Sequence, residues 1–254
     1  MSSFEVLARK EAQEIVHTWR IWVLPVLVVF FAVIGPPLAR ITPELLGSLT
    51  AGTQGAVTLP PATFADAYGQ WIKNLSQIIL FAIIIMYGGM VSTEVREGTA
   101  AFVLTKPIRR STFITAKAAV HGLFVTTVII AGTLATWLAT QLVFGEAPAA
   151  RLWGPALLLL LYALLILAFM ELFSVLIPAP AGAAGAGLGL YALLVVGGAW
   201  EPLANYSPAG LPGIAAAIIA NQPHTSSAWP AVTGAAAAGA AVVLAIRVFK
   251  RKEL

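Results

Sequence analysis

Seven of the 26 charged side chains fall between Glu94 and Lys117, in the run Ser92-Thr-Glu-Val-Arg-Glu-Gly-Thr-Ala-Ala-Phe-Val-Leu-Thr-Lys-Pro-Ile-Arg-Arg-Ser-Thr-Phe-Ile-Thr-Ala-Lys117. Acids and bases alternate there, which is the chemistry of recognition rather than of bond breaking. Ser92 or Thr93 can cap a short helix with Glu94 in its first turn. Gly98 ends or bends it. Ala100 to Leu104 is mildly apolar, and Lys106-Pro107 closes that segment because proline restricts the residue before it. Ser111 then opens the next helix. Two short helices with a proline break form a compact protrusion able to dock a partner. A plain basic loop would account for Arg109 and Arg110, but not for Glu94 and Glu97.

Other reactive constellations are sparse. Glu171 is the one acid well inside a long apolar run, and it precedes the end of that run at Ile177 by six residues, so it lies about 9 Å deep. A charge at that depth faces the interior of a helix bundle or a wet cavity. It could contact a ligand, pair with a base, or be satisfied by a helix-packing hydrogen bond. His17, His121 and His224 sit in separate segments, although His17 and His121 could approach one another. They do not make the three-ligand set of a catalytic zinc, and no H-E-x-x-H occurs. Cysteine is absent, which removes disulfides and thiolate metal sites. No G-x-x-x-x-G-K-[S/T] run exists to cradle a phosphate. Gly182, Gly185, Gly187 and Gly189 have no following lysine, and the Gly185–Gly189 spacing suits close helix packing. The reading therefore contains no catalytic residue, no metal site and no cofactor in this chain.

The elements that position these residues must be membrane helices. Of 254 residues, 59% are hydrophobic and only 10% charged, against about 25% charged in a soluble domain. Mean hydropathy is +0.88. Such a chain cannot cover a soluble core with polar surface, so a cytosolic enzyme or a nucleic-acid binder is excluded, and so is disorder. Apolar runs predict six spans, at about Ile21–Ala39, Leu75–Val91, Ala118–Phe144, Pro155–Ile177, Ala183–Trp200 and Pro230–Phe249. The first is expected to stop near Pro36 and Pro37. The class is thus an all-α polytopic membrane protein, a single transmembrane domain over residues 1–254. Twelve of the 15 Lys and Arg residues fall on one side of this topology, leaving Arg40, Lys73 and Arg151 on the other. The positive-inside rule then places both termini in the cytoplasm, across the cell's plasma or inner membrane.

Three segments lie outside the spans. Residues 1–20 carry charges before any apolar run, unlike a signal peptide. Phe4, Ala8, Ala12, Ile15 and Trp19 recur at helical spacing, which predicts an amphipathic interfacial helix. The first outer loop is expected to be irregular through Gly47, Gly52, Gly55, Pro60 and Pro61, then helical over Thr63 to Lys73, with a poorly defined start. Phe64, Tyr68 and Trp71 would anchor it at the headgroup layer. The outer stretch 201–229 holds a short apolar helix between Leu211 and Ala220, too short to cross and of a length that suits a re-entrant segment.

At the loop between spans two and three the chain resembles the ABC-2 type transporter permeases, the transmembrane subunits of ATP-binding cassette transporters. The matching residues are Glu94, Glu97, Gly98, Thr99, Leu104, Pro107, Arg110, Phe113 and Lys117, with Arg109 at the tighter spacing after Pro107. The N-terminal Lys10-Glu11, the six spans and the broken segment before span six also fit. The resemblance implies an ABC-2, type V exporter-like transmembrane fold and a non-catalytic subunit. It implies two permease copies, most simply a homodimer, beside two cytosolic ATPase subunits that supply ATP and Mg. Residues 1–20 become the elbow helix. Residues 92–117 become the coupling loop, with Glu94, Arg96, Glu97, Gly98, Thr99, Leu104, Pro107, Arg109 and Arg110 against the ATPase. Export of an amphipathic cargo is expected, with membrane lipid as the surroundings and no nucleic acid as partner. The alternatives are a non-transporting scaffold that docks an ATPase, or a secondary transporter, for which only Glu171 offers an ion-coupling residue and no internal repeat is found.

Overall fold

A computed structural model of the chain describes residues 3–50, 60–99 and 109–252. Leu104 and Pro107 of the expected coupling loop lie outside the described residues, as do Gly52 and Gly55 of the first outer loop. No strand occurs among the described residues. Helix α1 is Ser3–His17 and α2 is Arg20–Thr50. Next come α3 (Phe64–Asn74), a π-helical turn (Leu75–Ile79), α4 (Leu80–Tyr87) and the short α5 (Ser92–Arg96). Then follow α6 (Arg110–Phe144), α7 (Ala149–Leu176), α8 (Pro180–Gly198), α9 (Glu201–Tyr206), α10 (Leu211–Ile219) and α11 (Ala228–Arg251).

Six helices among the described residues are long and apolar enough to cross a membrane: Arg20–Ser48, Phe64–Arg96, Arg110–Phe144, Ala149–Leu176, Pro180–Gly198 and Ala228–Arg251. Each expected apolar run maps onto one of them. Several helices extend beyond the run into polar sequence, because an intrahelical bond does not require an apolar side chain.

Two expectations are corrected. α2 does not stop at Pro36 and Pro37; it continues past Pro43 to Thr50, so Gly47 is helical. Proline removes one donor and crowds the preceding turn, yet the helix continues through Pro36, Pro37 and Pro43. The segment from Phe64 does not stand apart from the second span; α3 runs through the π turn into α4. Its start is well defined, for Thr63 and Asp66 form a capping box, with the Thr63 amide donating to Asp66 Oδ2 at 2.7 Å. α1 buries Leu7, Glu11 and Ile15 against the bundle, while Phe4, Ala12 and Trp19 of its apolar stripe are exposed. The buried stripe is rotated from the apolar one and includes an acid.

α7 has the most buried residues of any single helix among those described, and packs against α4, α6, α8, α10 and α11. A helix apolar all round belongs at the centre of a bundle. α10 packs on α7 and α3, with Leu211, Ala215 and Ile219 in the core. Of the glycines in α8, Gly187 meets Met170 and Ile84, whereas Gly185 and Gly189 have nothing within 4 Å. The close packing expected of the Gly185–Gly189 pair is thus absent among the described residues.

Gly132 lets α6 approach α2 and α3. A Cβ there would lie 2.7 Å from Trp71 Cη2 and would also strike Val28. Gly132→Val should therefore cost about 1–3 kcal/mol through overpacking. Gly239→Ala, at a position with nothing within 4 Å, is the control. Unfolding midpoints of the two purified variants measure the difference.

Candidate functional site

Lys117 lies near the start of α6, facing α1 and α5, and its side chain is wholly buried. An unpaired ammonium there would carry a large desolvation penalty. Its Nζ donates to Glu11 Oε2 at 2.9 Å and to Glu94 Oε1. Lys10 Nζ reaches the same Glu94 oxygen at 2.7 Å, Glu11 Oε1 at 3.0 Å and Glu14 Oε2 at 3.1 Å. Arg20 closes the set on Glu14 Oε1 at 3.1 Å. Three cations thus meet three carboxylates, drawn from α1, α2, α5 and α6. Rings complete the surroundings: Arg20 lies 5.6 Å from the Tyr87 centroid, and Lys117 lies 5.2 Å from that of Phe113. His121 Nε2 is 3.4 Å from Glu11 Oε2, so its N–H faces the carboxylate.

Burial by itself would raise the Glu11 carboxyl. The His121 hydrogen bond and the charges of Lys117 and Lys10 outweigh burial, and hold Glu11 well below the usual carboxylate range. Burial would lower the Lys10 ammonium, but Glu11 and Glu94 hold it above its ordinary value. A depressed carboxyl contributes stability that is present above its ordinary value of 4.5 and is lost as pH falls through the depressed one. The unfolding midpoint should therefore hold from pH 7 down to about 4.5 and fall as pH is lowered further. Glu11→Gln should have a lower midpoint at neutral pH and a shallower acid decline, and a pH series of melts on both proteins checks the sign.

α5 is too short to stand alone, and span four supports it. Ser174 Oγ on α7 accepts the amide N–H of Val91 at 2.8 Å and that of Ser92 at 3.0 Å. The cap expected of Ser92 or Thr93 is thus supplied from a different helix, and the Ser92 hydroxyl sits 3.3 Å from Ser174. Gly98 adopts φ +74°, a left-handed conformation that glycine takes without strain. Thr99 Oγ1 donates back to the Glu94 carbonyl at 3.1 Å.

The described residues of the expected coupling loop divide into two groups. Glu94 points inward to Lys10 and Lys117. Arg110 turns to the end of α11, donating to the carbonyls of Lys250 at 3.2 Å and Lys252 at 2.5 Å. Phe113 stacks on Phe249 at 5.3 Å, and Lys252 Nζ donates to the Val175 carbonyl at 2.8 Å. Arg96, Glu97, Gly98, Thr99 and Arg109 are exposed. α1, α5, the start of α6 and the ends of α7 and α11 therefore gather at one end of the bundle, behind an outward charged rim.

Histidines do not form a cluster: His17 is exposed and bonded to the Gln13 carbonyl, and His224 is bonded to that of Thr225. Glu11, Glu14 and Glu94 do converge, with ligand atoms within 4.8 Å of one another. Lys10 and Lys117 already provide the positive charge in that group. Glu171 is buried on α7 and is in none of these ion pairs, although it lies within electrostatic reach of Lys117 and Glu11; its Oε1 has no hydrogen-bond partner.

Ser174, Glu14 and Arg20 were not foreseen from sequence. Lys10 and Glu14 are spaced i, i+4, a readable pair. Ser174 carries no sequence signal, because a lone serine in an apolar helix is usually bonded to its own backbone.

The family profile described as ABC-2 family transporter protein matches residues 6–254. No curated protein matches the chain.

Proposed function

Because this chain belongs to the ABC-2 family of transporter proteins, we propose that it is the permease subunit of an ATP-driven exporter and that separate ATPase subunits move it. The observation that carries this reading is the division of the coupling loop. Arg96, Glu97, Gly98, Thr99 and Arg109 are exposed, while Glu94 beneath them is tied to α1 and α6. A docking surface that transmits force needs an exposed contact on a stiff base, and this end of the bundle has both.

In this reading the end that carries α1, α5 and the basic tail faces the cytoplasm. Two ATPase subunits, holding ATP and Mg, press on the loops of two permease copies. A homodimer is the simplest assembly. Spans two and five line the path between the copies. Ile78, Phe81 and Ile85 on span two and Leu193 and Val196 on α8 are exposed apolar residues, which fits a lipophilic or amphipathic cargo. The chain itself contributes no catalytic group.

Co-expression with a cytosolic ABC ATPase from the same genome tests the reading. The two should co-purify at equal stoichiometry, and the reconstituted complex should hydrolyse ATP faster than the ATPase alone. An ATPase that neither binds the chain nor responds to it would sink the proposal.

A further inference from the structure

Glu171 does not face only helix packing. It lines a cavity of about 210 Å³ between α6, α7 and α11, with Ala118, Gly122, Leu164, Ala238 and Gly239 among its other walls. At about 30 Å³ per water-sized group, the space admits a polar head and a short alkyl segment. The walls are apolar and small. Glu171 is 1% exposed, and its Oε1 is buried without a hydrogen-bond partner. A buried polar atom left unpaired is costly, and native structures rarely keep one without a use.

The charges that face this residue are already engaged. Lys117 on α6 is taken by Glu11 and Glu94, and His121 on the same helix faces Glu11. The α1 side offers Glu11, which is itself an acid. The α11 wall contributes Ala238, Gly239 and Val242, none of which titrates. The neighbouring network balances three cations against three carboxylates, so Glu171 is the acid left over. A phosphate or carboxylate headgroup would meet no free cation here, and a neutral alkyl group would leave the carboxyl unsatisfied.

We propose that this cavity binds the ammonium end of an amphiphilic amine, with Glu171 accepting the N–H and the small residues of α6 and α11 holding the first carbons of its chain. The inference stands on the cavity itself and holds with or without an ATPase partner.

A photoreactive alkylamine bearing a diazirine, with the matching alcohol and carboxylic acid, tests it on the full-length chain in phosphatidylcholine nanodiscs. Labelled residues are mapped by mass spectrometry. The amine should label the cavity walls on α6, α7 or α11 saturably, and at least tenfold more than the alcohol or acid. Glu171→Gln should reduce that labelling at least tenfold. Gly239→Leu fills the cavity from a position with nothing within 4 Å and should do the same. It also decides the matter if the Glu171 variant fails to purify as a single species. Competition by phosphatidylethanolamine added to the nanodiscs would identify a lipid headgroup as the source of the amine. Competition by n-octylamine alone would identify a lipid-independent amine. Equal labelling by the alcohol, labelling unchanged in both variants, or no saturable labelling would overturn the proposal.

Discussion

Lys117→Met should lower the unfolding midpoint of the purified chain by about 6–20 °C, from a loss of about 3–5 kcal/mol. The substitution keeps the length and the apolar stem of the side chain. What it removes is the ammonium between Glu11 Oε2 and Glu94 Oε1. Lys10 remains on Glu94 at 2.7 Å and on Glu11 at 3.0 Å, but one cation cannot balance two buried carboxylates. Breaking a buried pair is more damaging than replacing all of it with neutral groups. The combined variant Glu11→Gln, Glu94→Gln, Lys117→Met should therefore regain part of the loss. Thermal melts in one detergent compare the three proteins. If Lys117→Met melts with the wild type, the network is not what fixes α1 and α5 to the bundle.

Charge reversal on the exposed rim should have the opposite signature. Arg96→Glu with Glu97→Arg, or Arg109→Glu alone, should reduce ATPase binding or stimulation by about tenfold, equivalent to ~1.4 kcal/mol. The unfolding midpoint should stay near wild type, because surface substitutions away from buried networks change stability little. Glu94→Ala should lower both quantities, since Glu94 faces inward. Coupled ATPase assays beside melts separate the two classes. Rim variants with full stimulation would remove the docking role from residues 96–109.

Six membrane helices were legible because a nearly uncharged apolar run of bilayer-spanning length is stable almost nowhere but in lipid. Their ends were less legible. Pro36 and Pro37 read as a stop because proline lacks a donor, yet the lost bonds are too few to end a helix of 31 residues, and it carries on to Thr50. What α1 buries against the bundle was not legible either. Phe4 and Trp19 carry its hydrophobicity and are exposed, while Glu11 is buried because Lys117 lies opposite it. That pairing spans more than a hundred residues of chain, and no local pattern encodes it. Motif residues from Glu94 to Lys117 stood out as a group, but which of them face outward depends on Ser174 and the α11 end, both remote in sequence.

The Glu11–Lys117 bond joins residues 106 apart in the chain, and this sets an order of assembly. While the chain is being synthesised, Glu11 exists long before Lys117 does. Until then Lys10 is its local counter-ion, and α1 can rest at the water boundary. Only after the third span emerges can Glu11 be drawn under cover. Arg110 must wait longer still, for the carbonyls of Lys250 and Lys252, 140 and 142 residues further along the chain. The charged end of the bundle is therefore closed only after residues far along the chain have emerged, so a chain released early would display α1 and α5 unlatched from the bundle.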